Sequence, residues 1–178
     1  MSRPKSDAPP SQKNLEFKAK INETVALEEA FKQDGASFVD ILEQTDTYFV
    51  VPRGRLKLRE ATGRKPELIF YERDEKSSGG MRSLYTVIPM EDAAVKDALS
   101  RALGVKVVVA KSRRLLMLKN ARIHIDEVKN LGSYMEFEVV SHGDDAGDVA
   151  LLDRLKGIAS PFVGTEINES YSDLVMSK

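Results

Sequence analysis

NLEFKAKI, residues 14–21, alternates apolar and charged side chains with the period of two that is typical of a β-strand. Its apolar face carries Leu15, Phe17, Ala19 and Ile21, and its charged face carries Glu16, Lys18 and Lys20. A charged face of this kind is either the solvated side of a sheet or the lining of a site. The other strand-like segments of the chain decide between these interpretations.

The same alternation recurs in five later segments: RGRLKLRE (53–60), LIFYER (68–73), VVVAKSRRLL (107–116), ARIHIDEV (121–128) and YMEFEVV (134–140). Across all six charged faces, acidic residues are outnumbered by basic ones: Lys18, Lys20, Arg53, Arg55, Lys57, Arg59, Arg73, Lys111, Arg113 and Arg122 against Glu16, Asp126, Glu136 and Glu138. These faces therefore carry a formal charge of +6, whereas the rest of the chain carries −7, for the net charge of −1. Positive charge is concentrated on one set of strand faces.

An ordinary solvated sheet face would mix hydroxyl, amide and acidic groups with its lysines. Cations at this density repel one another unless an anion neutralises them, so the pattern favours a polyanionic ligand. Closing the strands into a barrel would enclose the charges and leave the apolar faces to pack beneath helices. We therefore expect an antiparallel barrel with a charged interior.

The acidic residues on the same faces have two interpretations. Glu136 and Glu138 are two residues apart on one strand, so both point inward, and Glu16 repeats this geometry near the N terminus. They are either ion-pair partners of the cations or oxygen ligands for Mg²⁺ or Mn²⁺. Cations that bind phosphate oxygens, together with carboxylates that bind metal, indicate phosphoryl or nucleotidyl transfer. His124 shares the charged face and either contacts phosphate, assists proton transfer or is a hydrogen-bonded barrel residue.

Helical spacing occurs in three segments, at about residues 24–34, 91–103 and 147–158. Residues 1–12 contain three prolines and lack apolar periodicity, so we expect a disordered tail before a single domain at 13–178. The chain has no cysteine and no apolar run long enough for a signal peptide or a membrane span, and we expect a cytoplasmic protein with no membrane partner.

Five segments, in order, resemble the CYTH superfamily of triphosphate tunnel metalloenzymes. LEFKAKI (15–21) resembles the family's E-x-E-x-K strand, and DTYFVVPRGRLKLRE (46–60) and VVVAKSRRLL (107–116) resemble its basic strands. ARIHIDEVKNLGSYMEFEVV (121–140) resembles its R-x-H-x-D and E-x-E segment, and SYSDL (170–174) resembles its closing motif. Within the superfamily, DTYF (46–49), GRLKLRE (54–60) and RIHIDEV (122–128) are more similar to class IV adenylyl cyclases than to thiamine triphosphatases.

The resemblance implies an α+β fold built on an eight-stranded antiparallel tunnel, with the three helices outside. It implies metal binding by Glu16, Asp126, Glu136 and Glu138, and triphosphate contacts from Lys18, Arg55, Lys57, Arg59, Arg73, Lys111, Arg113 and Arg122. Lys18, Lys111 and Arg113 are the expected catalytic residues. The first glutamate of the family's strand is Asn14 here, so a neutral amide replaces one carboxylate of the expected metal site.

The leading hypothesis for function is a Mg²⁺- or Mn²⁺-dependent enzyme that converts ATP to cAMP and pyrophosphate. The first alternative is a triphosphatase that hydrolyses inorganic triphosphate, thiamine triphosphate or a nucleoside triphosphate, and the second is a non-catalytic polyphosphate or nucleotide binder. Single-stranded nucleic acid is disfavoured as a partner, because RGRLKLRE lacks interleaved aromatic residues and the rest of the chain is acidic. Related cyclases suggest a homodimer.

Overall fold

The computed structural model describes residues 12–74, 81–92 and 94–178. Within these ranges the strands are β1 (Gln12–Ile21), β2 (Ser37–Phe49), β3 (Arg55–Ala61), β4 (Glu67–Asp74), β5 (Met81–Pro89), β6 (Val105–Leu118), β7 (Ala121–Val128), β8 (Gly132–Val140) and β9 (Val163–Glu166). The helices are α1 (Thr24–Gln33), α2 (Val95–Leu103), α3 (Asp145–Ala159) and α4 (Tyr171–Met176), with a 3₁₀ turn at Ser160–Phe162. The predicted tail lies outside the described residues except for Gln12, which begins β1.

Eight of the strands close into one antiparallel barrel, in the order β1, β5, β4, β3, β2, β6, β7, β8 and back to β1. The closing pair joins β1 to β5, from Gln12 opposite Tyr85 to Glu16 opposite Met81. β8 runs along the other edge of β1, and β9 pairs with the C-terminal part of β1. The predicted α+β fold with an eight-stranded barrel is confirmed, and β9 is one strand more than expected.

The main hydrophobic core lies outside the barrel wall, between β1, β6, β7 and β8 and the helices α1 and α3. Phe31 of α1 packs edge-on against Phe137 of β8, with 5.4 Å between the ring centroids. Leu152 and Leu155 of α3 are fully buried in the same cluster. Because successive side chains of a strand point to opposite faces, the alternate residues of these strands face the barrel interior. The charged faces identified in the sequence are therefore turned inward.

Three of the helices correspond to the predicted ones. α1 and α3 each match their prediction to within two residues at either end, whereas α2 begins four residues later than expected, at Val95. The fourth helix, α4, was not predicted, because six residues are too few to show a helical period. It is stabilised by a capping box, in which the Ser170 hydroxyl accepts from the Asp173 amide and the Asp173 carboxylate accepts from the Ser170 amide.

None of the helices in the described part of the chain has both the length and the apolar character that crossing a membrane requires.

Candidate active site

The interior of the barrel encloses a cavity of about 460 Å³. Ten of the twelve predicted site residues line it: Glu16, Lys18, Lys57, Arg59, Arg73, Lys111, Arg113, Arg122, Glu136 and Glu138. The other two, Arg55 and Asp126, lie beside the cavity without lining it. Lys20 and Arg53, which alternation alone had placed on the same faces, are exposed to solvent. The fold therefore brings most of the predicted residues together in one enclosure.

One part of the wall gathers possible metal ligands from β7 and β8. His124 stands opposite Glu136 in the strand register, and each of the side chains of His124, Glu136 and Glu138 offers a ligand atom within 4.8 Å of the other two. His124 Nδ1 lies 3.7 Å from Glu136 Oε2 and 3.9 Å from Glu138 Oε1. Burial lowers the pKa of His124, and nearby Arg113 lowers it further, so the neutral imidazole is favoured.

Glu16 stands beside this cluster, opposite Glu138 in the register of β1 and β8. Its Oε2 atom lies 2.9 Å from Arg73 Nη2, although the contact lacks the alignment of a hydrogen bond. Burial raises the pKa of the Glu16 carboxyl, and repulsion from Glu136 and Glu138 adds to this effect, so the net pKa is raised although Arg73 opposes the shift. A cation placed among these carboxylates would relieve that repulsion.

Several buried polar atoms near this cluster have no hydrogen-bond partner: Asn14 Oδ1, Glu16 Oε2 and His124 Nδ1. A buried polar atom that makes no hydrogen bond is costly, so such atoms mark a place where a ligand or an ion is expected. Carboxylate and amide oxygens are the ligands that Mg²⁺ and Mn²⁺ take in proteins. The residues present therefore fit a divalent ion on this wall.

Asp126 has a different surrounding from the other predicted metal ligands. Arg113 donates to both of its oxygens, at 2.7 and 2.6 Å, and the Tyr171 hydroxyl donates to Oδ2 at 2.8 Å. Burial raises the pKa of the Asp126 carboxyl, but Arg113 outweighs this effect and the net pKa is lowered. Arg113 also donates to Glu136 at 2.9 Å. Asp126 thus orients Arg113, and Arg113 connects the cationic wall to the carboxylate cluster.

A second carboxylate, Asp46 of β2, holds three cations and was not assigned in the sequence analysis. Its side chain is fully buried and accepts from Lys57 at 3.0 Å, from Arg59 at 2.8 and 2.9 Å, and from Lys111 at 3.1 Å. The feature that identifies Asp46 as a partner of the cations is the strand pairing, which places it opposite Arg59 in the register of β2 and β3. Burial lowers the pKa of the Lys111 ammonium to about 7, although Asp46 opposes the shift.

The C-terminal helix α4 closes against one side of this cavity. The Tyr171 ring lies 4.5 Å from Lys18 Nζ, and Lys18 also contacts Glu136 at 3.2 Å. Burial lowers the pKa of Lys18, although Glu136 acts in the opposite direction. Arg55 donates to Asp173 of α4 at 2.9 Å, which accounts for its position beside the cavity. The motif SYSDL therefore supplies contacts to predicted site residues from β1, β3 and β7.

Arg73 and Arg122 are two further cations of the wall. Arg73 lies between Glu16, at 2.9 Å, and Glu136, at 4.0 Å. Arg122 approaches Glu138 Oε2 at 3.4 Å. Tyr48 and Tyr71 also line the cavity, with their ring centroids 5.4 and 5.6 Å from Lys57 Nζ. The enclosure thus combines guanidinium and ammonium groups with carboxylates and aromatic rings.

Solved structures with this architecture come from archaea, bacteria and plants. A Pyrococcus horikoshii protein is 21% identical with a TM-score of 0.69, covering 90% of this chain and 98% of its own. A proposed adenylate cyclase from Vibrio parahaemolyticus is 18% identical in sequence and has a TM-score of 0.71. The match covers 94% of this chain and 99% of the Vibrio chain. A proposed adenylyl cyclase from Hippeastrum is described as having a dominant triphosphatase activity. It is 12% identical in sequence with a TM-score of 0.64, and the match covers 93% of this chain and 95% of the Hippeastrum chain.

At these identities the likeness concerns the fold. Comparison with curated protein sequences gives no significant match. The family model of the CYTH domain, in contrast, matches residues 12–171, which include the whole barrel and the start of α4. The protein with this charged, closed barrel therefore belongs to the CYTH domain family.

Proposed function

We propose that the protein is a divalent-metal-dependent enzyme that converts ATP to cAMP and pyrophosphate inside the barrel. The observation that supports this most strongly is that a wall of cationic side chains adjoins a wall of carboxylates in the same cavity. Arg113 contacts Glu136 at 2.9 Å, so the cations of β3 and β6 adjoin the carboxylates of β1 and β8. A triphosphate with a metal ion needs both kinds of wall at once.

The predicted cations that line the cavity are the substrate-binding groups: Lys18, Lys57, Arg59, Arg73, Lys111, Arg113 and Arg122. Arg64 and Lys65 also line it. Non-bridging phosphate oxygens would replace part of their contacts with buried carboxylates. Glu16, Glu136 and Glu138 would hold the ion, whose charge would neutralise phosphate oxygens and the departing pyrophosphate. Asp126 and Arg55 are positioning residues, because their described contacts are with Arg113 and with α4.

Cyclisation requires the ribose 3′ hydroxyl to lose a proton while its oxygen bonds to the α-phosphorus. The bond from that phosphorus to the β-phosphate oxygen breaks, and pyrophosphate leaves. Lys111, with a pKa of about 7, holds a free amine in part of the molecules near neutral pH and can accept the proton. Arg113 stays protonated, because Asp126 and Glu136 hold its pKa above the usual range despite burial, and it neutralises phosphoryl charge with Lys18.

Hydrolysis of a triphosphate is the second candidate. The Hippeastrum protein of the same fold is described as having a dominant triphosphatase activity. The same amine and cations would serve a water molecule that attacks the γ-phosphorus, with the substrate shifted along the cavity. The same cavity residues suit both reactions, so cyclisation and hydrolysis are distinguished by the products that the protein forms.

The first experiment is product analysis by chromatography, with ATP, inorganic tripolyphosphate and thiamine triphosphate each incubated with Mg²⁺ or Mn²⁺. We expect cAMP and pyrophosphate in equal amounts from ATP. ADP and phosphate from ATP, or phosphate from one of the other substrates while ATP stays intact, would contradict cyclisation and support hydrolysis. Intact substrates throughout would contradict enzymatic function and indicate a binder.

The double variant Glu136→Ala, Glu138→Ala tests the metal role. We expect metal-dependent turnover to fall by at least about 100-fold, because two ion ligands are lost. Binding of tripolyphosphate, measured by calorimetry without metal, should survive in part because the cations remain. Glu43→Ala with Glu127→Ala removes two exposed strand glutamates and serves as the control. Unchanged turnover in the first variant would contradict the assignment.

A further inference from the structure

The carboxylate cluster of the cavity includes a nitrogen atom that the proposed function leaves unused. His124 projects from β7 into the cavity, and its side chain is among the buried polar groups, with 4% of the residue exposed. Its Nδ1 atom has no hydrogen-bond partner. A neutral imidazole has one ring nitrogen with a free lone pair, and a buried lone pair without a donor is unfavourable. When the ring proton is on Nε2, the lone pair of Nδ1 points toward the glutamates and a cation is its suitable partner.

The spacing around Nδ1 suits an ion better than a hydrogen bond. The distances of 3.7 Å to Glu136 Oε2 and 3.9 Å to Glu138 Oε1 exceed hydrogen-bond length. Two ligands that each lie about 2.1 Å from one ion are separated by about 3–4 Å. All three ligand atoms lie within 4.8 Å of one another, so one ion can reach them with small side-chain adjustments.

The neighbouring Asn14 changes what such an ion would meet. Asn14 Oδ1 is buried and lacks a partner, and it stands where the family's strand has a carboxylate. The wall therefore offers three carboxylates, a neutral amide and an imidazole. Mg²⁺ prefers oxygen ligands only, whereas imidazole suits first-row transition metals, for which affinity at mixed sites is generally higher.

We propose that His124 Nδ1 is a direct metal ligand and that it makes the site prefer first-row transition-metal ions, such as Mn²⁺, over Mg²⁺. This inference rests on the proposed function, since the ion is the one that would hold the triphosphate. It places the neutral amide of Asn14 and the imidazole of His124 in one ligand set with the glutamates. The preference belongs to the protein alone and can be measured without substrate.

The test is pulsed electron paramagnetic resonance of Mn²⁺ bound to the whole protein without substrate. We expect nitrogen modulation typical of a coordinated imidazole. The chain has two histidines, so His142→Gln, which changes an exposed loop residue, is the matched control and should keep the signal. His124→Gln should abolish it and weaken Mn²⁺ binding by about 10- to 100-fold. Mg²⁺ should displace Mn²⁺ more easily from that variant than from the control.

The outcomes separate this inference from the proposed function. Tight Mn²⁺ binding that needs Glu136 and Glu138 but shows no nitrogen modulation in the unmodified protein overturns the histidine ligand and leaves the metal role intact. Binding that is indifferent to both glutamates, or no binding at all, overturns the metal role as well. The spectrum of the unmodified protein is decisive even if His124→Gln does not fold.

Discussion

Lys111 illustrates how burial sets the charge of a single side chain. Only 6% of the residue is exposed, and its ammonium contacts Asp46 at 3.1 Å while Arg113, Arg59 and Lys57 lie nearby. Burial is the largest influence and lowers the pKa to about 7, the neighbouring cations add to this, and Asp46 alone among these groups opposes it. A lysine in this setting exchanges its proton near neutral pH, as a proton acceptor must.

This shift predicts a pH dependence of stability. Between pH 7 and 10.5 the unfolded chain keeps the Lys111 proton and the folded protein does not, so the unfolded state binds more protons. The free energy of unfolding contributed by Lys111 therefore rises with pH in this window, by at most about 1.4 kcal/mol per pH unit. Urea unfolding at pH 7, 8 and 9 should show a steeper rise in the unmodified protein and in Lys106→Met, an exposed control on β6, than in Lys111→Met, where buried Lys18 still contributes a rise. Parallel slopes in all three proteins would contradict the assignment.

The connection from β2 to β3 shows how an element is held in register. Gly54, just before β3, has a φ of +61°, and a Cβ atom there would lie 2.8 Å from the Phe70 ring and from the Tyr71 carbonyl oxygen. β4 thus packs directly on this glycine. The register that follows places Asp46 opposite Arg59. The turn therefore contributes to the geometry of the cationic wall.

A pair of alanine substitutions separates backbone strain from this close approach. Gly63, in the β3–β4 turn, has a φ of +70°, and a Cβ atom there would meet nothing within 4 Å beyond its chain neighbours. Gly63→Ala should cost about 1–2 kcal/mol for the left-handed backbone alone. Gly54→Ala should cost at least about 1 kcal/mol more, because the methyl group also collides with β4. Equal losses in urea unfolding would show that the contact with β4 adds nothing.

At the scale of the whole molecule, the barrel separates charge by its two faces. Apolar side chains of β1, β7 and β8 pack under helices, while the interior holds cations that are paired with a few buried carboxylates. Breaking a buried pair is costly because it leaves an unpaired charge in a medium of low polarity. An anion that enters the cavity supplies the missing partner, so ligand binding and stability are linked.

Asp46→Asn tests this linkage. It leaves Lys57, Arg59 and Lys111 without their shared carboxylate, and we expect the free energy of unfolding to fall by about 3–5 kcal/mol. Tripolyphosphate should recover part of the loss and stabilise the variant more than the unmodified protein. Asp34→Asn, which breaks a surface contact with Arg154 away from the cavity, is the control and should behave like the unmodified protein. An equal response to tripolyphosphate in both variants would contradict a shared anion site.

Alternation along the strands sufficed to predict which side chains face inward, because a strand's period of two follows from its backbone alone. Ten of the twelve candidate site residues accordingly lie in the cavity wall. Alternation was wrong for Lys20 and Arg53, which are exposed to solvent. Lys20 lies near the end of β1, and Arg53 lies before the start of β3. The order of the five motifs was enough to indicate the family, which the match over residues 12–171 confirms.

Partners across the barrel depended on the fold, because a period of two says nothing about which strands become neighbours. Asp46 meets Lys111, and Tyr171 meets Asp126, through contacts that span 65 and 45 positions of sequence. His124 joins Glu136 and Glu138 only because the register of β7 and β8 sets them side by side. Local geometry thus decided the face of each side chain, whereas strand closure decided its charge partner and, with it, its chemistry.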